Sequence, residues 1–72
     1  MQNIEYVEYI GAVKFDGNDK EYFFTTIYDR LEQGDRVLVN LKNDRLETAT
    51  FVRYAPILGE MPPCYILEIL GD

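Results

Sequence analysis

The residue types behind most enzymatic chemistry are missing from this chain. Its 72 residues contain no histidine, no serine and no tryptophan, and cysteine occurs once, as Cys64. A nucleophile needs a neighbouring base to activate it, so neither a Ser-His-Asp nor a Cys-His constellation can be assembled. One cysteine without histidine does not make a tetrahedral zinc site. Gly11, Gly17, Gly34, Gly59 and Gly71 stand singly, so no glycine-rich loop exists to cradle a phosphate. Carboxylates remain. Asp16-Gly17-Asn18-Asp19 offers oxygen ligands, but a calcium loop also needs glycine at its sixth position and glutamate at its twelfth. Counted from Asp16, those positions are Glu21 and Ile27. The loop reads as a solvated hairpin turn. Glu5 and Glu8 lack the apolar shielding that raises a carboxyl pKa for acid–base work. The expectation is a protein without catalytic residues, cofactor or metal.

Binding is the better prospect. Tyr22, Phe24 and Tyr28 recur at a spacing of two, as on one face of a strand. Such a face serves as a base-stacking platform in oligonucleotide-binding barrels, fills a small core, or anchors a protein partner. Charge discriminates between these. The net charge is −6, and residues 1–35 carry eight acids against Lys14, Lys20 and Arg30. Residues 36–72 carry five acids against Arg36, Lys42, Arg45 and Arg53. Phosphate is repelled by the first half and barely attracted by the second, so nucleic acid is disfavoured. Candidate protein-contact residues are Tyr22, Phe24 and Tyr28, with Arg36, Arg45 and Arg53 beside them. A second reading treats Glu5, Glu8, Asp16 and Asp19 as phosphate mimics that occupy the basic groove of a host nuclease or defence protein.

These side chains need a scaffold, and the pattern is all β. A first strand runs from about Ile4 to Phe15, with Val7, Tyr9, Val13 and Phe15 on one face and Gly11 interrupting it as a bulge or bend would. Asp16 to Lys20 is a turn cluster. Glu21 to Tyr28 is dense in β formers, with Tyr22, Phe24, Thr26 and Tyr28 on one face and Phe23, Thr25 and Ile27 on the other. Asp29 to Gln33 makes a short turn that dips Leu31 into the core, because Gly34 stops any helix. Gly34-Asp35 then launches Arg36 to Leu41, with Val37, Val39 and Leu41 inward. Lys42 to Arg45 is a tight turn. Leu46 to Tyr54 alternates Thr48, Thr50, Val52 and Tyr54 against Ala49, Phe51 and Arg53. Ala55 to Pro63 is a proline- and glycine-bearing loop. The last strand, Cys64 to Leu70, sets Tyr65, Leu67 and Ile69 on one side and Glu68 on the wet side. Five short strands in meander order would close by pairing the first with the last, removing exposed edges.

The order of these elements carries a resemblance. Val13-Lys14-Phe15, Lys20-Glu21-Tyr22-Phe23-Phe24, Leu31 to Val39 with its Gly34-Asp35 turn, Ala49-Thr50-Phe51-Val52 and Tyr65 to Ile69 succeed one another as in small SH3-like barrels. Those occur in bacterial and phage-encoded proteins of unknown role. The resemblance spans most of the chain. It implies one five-stranded SH3-like barrel over residues 1–72 and an origin in a phage or mobile element, and it transfers no catalytic residue.

Composition agrees. An apolar fraction of 47% supports a packed core, though a chain this short buries only about 60% of its unfolded surface. No apolar run approaches the roughly 20 residues of a membrane helix, and the first residues do not read as a secretory signal. A lone thiol fits a reducing compartment, with Cys64 inert at the mouth of an apolar strand. The expectation is a cytoplasmic, non-catalytic protein-binding or adaptor module, its partner another protein or a second copy of itself. A single-stranded nucleic-acid-binding barrel is the further alternative.

Overall fold

The computed structural model describes residues 7–71. Five strands form one sheet: β1 (Tyr9–Lys14), β2 (Tyr22–Thr26), β3 (Arg36–Asn40), β4 (Leu46–Ala55) and β5 (Ile66–Leu70). The sheet curls into a half-barrel, consistent with a small SH3-like barrel, and no helix occurs among the described residues. The five-stranded all-β reading therefore holds. The first strand is shorter than expected, and Ile4 and Glu5 lie outside the described residues.

The strand order is β2-β1-β4-β3-β5, which corrects the meander. Only β1–β2 and β3–β4 are hairpins. The cause is the length of β4, whose 10 residues serve two neighbours. Its first half pairs with β3, from Asn40 opposite Leu46 to Arg36 opposite Thr50. Its second half pairs with β1, from Lys14 opposite Thr50 to Ile10 opposite Ala55. The two sheet edges, β2 and β5, then meet at a seam, so the second strand rather than the first closes against the last. A single parallel bridge joins Thr25 and Tyr65 there. The Thr25 amide donates to the Cys64 carbonyl at 2.9 Å, the Thr25 hydroxyl to Pro62 O at 2.8 Å, and the Tyr28 hydroxyl to Leu67 O at 3.1 Å. Thr25 is wholly buried because those partners satisfy it.

The core lies on the concave side. Val13, Phe24, Leu31, Val37, Val39, Ala49, Phe51 and Ile66 are its buried members. Gly11 is no bulge. It pairs regularly with Phe24 and Tyr54, and its missing side chain leaves room for Phe51. A Cβ there would stand 2.9 Å from Phe51 Cε1 and 3.1 Å from Ile66 Cδ1. The irregularity falls one step later, between Ala12 and Val13, where β4 contributes the extra residue Val52. That extra residue flips the alternation of β4, so Ala49 and Phe51 share the core with Tyr54 rather than with Arg53. A second bulge, at Leu67, breaks the expected alternation of the last strand, placing Ile66 opposite Val39 and Ile69 opposite Val37. Ile66 is 3% exposed, while Tyr65, Leu67 and Ile69 are each 40% or more exposed.

Turns at Gly34 and Asp44 lead into β3 and β4. Gly34 adopts φ +98° and its amide donates to Phe51 O at 2.9 Å, while the Asp35 carboxylate accepts from Glu32 N at 2.8 Å. Val37 and Val39 enter the core directly afterwards, as the spacing predicts. In the β3–β4 hairpin Asp44 takes φ +62°, a conformation aspartate tolerates.

Candidate protein-contact groove

The convex side of β1, β2 and β4 holds a concave surface. Ala12 sits opposite Phe23 on one side and Arg53 on the other. Because Ala12 is small, its two neighbours close over it, and it is fully buried although it faces outward. The Arg53 guanidinium lies 5.9 Å from the Phe23 ring centroid and pairs with Glu21 Oε1 at 2.9 Å. The segment after β4, with Pro56 and Pro62 as rigid points, bounds the other wall. Together they enclose a groove of about 460 Å³ lined by Ile10, Phe23, Ala55, Pro56, Leu58 and Pro62, with Arg53 and Glu60 as its charged residues. Phe23 is 47% exposed and Leu58 is 89% exposed. Exposed apolar surface of this kind, beside a concavity, marks a candidate interaction site.

Tyr22, Phe24 and Tyr28 do not line this groove. Phe24 is a core residue, and Tyr22 and Tyr28 are half-buried against the core. Their period of two was a core signal, since the concave side needs large residues. Tyr22 is further engaged edge-on by Phe15 at 5.4 Å and by the Lys20 ammonium at 5.4 Å. Of the three arginines, Arg53 alone reaches the groove. Arg36 is spent on the other end of β4, donating to Asp16 at 3.0 Å, Thr50 Oγ1 at 2.8 Å and Thr48 Oγ1 at 3.1 Å. Arg45 lies exposed in the β3–β4 hairpin and makes no ion pair among the described residues.

The acids are scattered likewise. Glu5 lies outside the described residues, Glu8 is half-buried beside β1, and Asp19 is exposed in the β1–β2 turn. Asp16 is held by Arg36, which reduces its value as a phosphate mimic. In the Asp16–Asp19 loop the Asn18 carboxamide caps Lys20 N at 2.9 Å, so the turn satisfies itself. No group of three metal-ligating side chains occurs among the described residues. Cys64 is half-buried at the seam. The displaced ionisation is that of Tyr54, raised above the usual tyrosine value mainly by burial, with Asp29, Tyr9 and Asp35 adding to it and the Leu31 amide opposing it. Its hydroxyl accepts from Leu31 N at 2.9 Å and donates to Tyr28 O, clasping the β2–β3 connection. That role is structural.

Sequence reasoning set Phe23 on the second face of its strand but did not single it out, and it missed Leu58. The signal was present: both faces of Tyr22–Tyr28 carry apolar residues, so one of them needs a cover other than the core. Against known protein families, curated proteins and solved structures, the chain has no match. No helix is long and apolar enough to cross a membrane among the described residues.

Proposed function

We propose that the chain is a non-catalytic, cytoplasmic protein-binding module, an accessory protein that engages a partner through the groove between Phe23 and Leu58. One observation carries the reading: an apolar concavity of about 460 Å³ flanked by two well-exposed large apolar side chains. The sequence supports it from the other direction, since without histidine or serine neither a Ser-His-Asp nor a Cys-His constellation can be assembled.

Selection of a random peptide library displayed on phage against the immobilised chain tests this. Enriched peptides should lose binding to Phe23→Ser and Leu58→Ser variants. Both positions are exposed, so the melting temperatures should stay within about 4 °C of the parent. Binding unaffected by both substitutions would refute the groove. Binding of single-stranded oligonucleotides at low ionic strength, with no enriched peptide, would replace this reading with a nucleic-acid-binding one.

A further inference from the structure

We infer that the occupant of the groove is a peptide whose apolar anchors stand beside a lysine or arginine. The inference rests on the protein-binding reading of this groove and adds the charge of the partner. Two charged residues line the groove, Arg53 and Glu60. Arg53 is already engaged twice, by Glu21 at 2.9 Å and by the face of Phe23. Its charge is offset locally by Glu21. Glu60 is exposed and has no ion-pair partner among the described residues. The uncompensated charge at the groove is therefore negative, and it sits on a chain whose net charge is −6. A cationic ligand is attracted both at contact and at longer range, whereas an acidic ligand meets repulsion from both.

The same charge argues against a second copy as the occupant. Two molecules of −6 repel each other, and a docked copy would have to bring an unpaired cation to Glu60. Lys14, Lys20, Arg30, Lys42 and Arg45 make no ion pair among the described residues, and none of them lines the groove, so a symmetric pairing groove to groove brings no unpaired cation to Glu60.

Three capped nonapeptides test the inference, each with two leucines and one phenylalanine, and with two lysines, two glutamines or two glutamates. Each is titrated into the isotope-labelled full chain, and amide shifts are followed by NMR. The amides of Phe23, Leu58 and Glu60 should move, with the lysine peptide tighter than the glutamine one by roughly two- to fivefold, the span of an exposed ion pair. The glutamate peptide should bind weakest. Glu60→Lys should reverse the order of the lysine and glutamate peptides. Equal affinities with the same amides moving would overturn the charge preference while leaving the protein-binding groove standing. No movement of those amides with any peptide would bring down the groove reading as well. Movement of the same amides on simple concentration of the chain would identify a second copy as the occupant and overturn the inference.

Discussion

Phe23 and Phe24 are neighbours in sequence and opposite in fate. Phe24 is 5% exposed in the concave core, and Phe23 is 47% exposed on the convex side. Each is a phenylalanine on the same strand, so intrinsic propensity does not separate them. What differs is the residue across the ladder. Phe24 pairs with Gly11, whose bare backbone leaves room for Phe51 to stack over the strand. Phe23 pairs with Ala12, and with Arg53 it closes over that small residue on the solvent side. The concave side is filled by its own sheet, while the convex side is left with a groove.

Substitution should expose that contrast. Phe24→Ala removes a buried ring and should cost about 3–5 kcal/mol, enough to unfold much of a domain this small. Phe23→Ala should cost under about 1 kcal/mol, as for a half-exposed side chain. Urea denaturation of both variants measures the difference, and equal losses would erase the distinction between the two sides. Gly11→Ala comes next. Its Cβ would press on Phe51 at 2.9 Å, and overpacking of this kind costs about 1–3 kcal/mol. Shortening Phe51 to leucine in the same chain should recover part of the loss of Gly11→Ala, a coupling that a double-mutant cycle reads directly.

Tyr54→Phe deletes a hydroxyl that links Leu31 to Tyr28 and should cost about 1–3 kcal/mol. It also carries a pH signature. The folded pKa of Tyr54 is raised, so the neutral form is favoured by folding. That contribution is fully present below the unfolded value of about 10 and is lost as pH rises through the folded value. The parent should therefore lose stability above about pH 10 more steeply than Tyr54→Phe, as followed by thermal melts across the alkaline range. The smallest effect belongs to Asp16→Asn. Its pair with Arg36 is largely exposed, with side-chain exposures of 77% and 40%, so the cost should be under about 1 kcal/mol and should shrink further in high salt.

Much of the scaffold was legible from residue order. The alternation of Val37 and Val39 after Gly34-Asp35 reads directly as a strand leaving a turn, and both valines are fully buried. Leu31 dips into the core as its setting before Gly34 suggests. The candidate site was far less legible. Alternation locates two faces on Glu21–Tyr28 but does not say which one meets the core, because both carry aromatics. The acids and arginines were still harder to group. Asp16 and Arg36 lie twenty residues apart in the chain, and only the fold makes them a pair.

Bulges account for the remaining differences. A single extra residue in one strand inverts the sidedness of everything beyond it, because side chains alternate with a period of two. Val52 does this in β4, bringing Tyr54 rather than Arg53 to the core and freeing Arg53 for Phe23 and Glu21. Leu67 is the extra residue in β5, so Ile66 and Ile69 rather than Tyr65 and Ile69 stand opposite the core valines Val39 and Val37. Periodicity alone holds no record of where the partner strand skips a residue.

The sequence by itself determined the strands and their turns, and it excluded triad and zinc chemistry through the residues it lacks. These follow from local propensity, side-chain alternation and the inventory of functional groups, all of which are written residue by residue. The tertiary structure alone decided the strand order, the two bulges and the closure of β2 on β5. It also decided which phenylalanine is buried and how the Pro56–Pro62 segment walls the groove beside Phe23. Each of these depends on contacts between residues far apart in the chain, where steric fit and ladder register choose among arrangements that local pattern leaves equivalent.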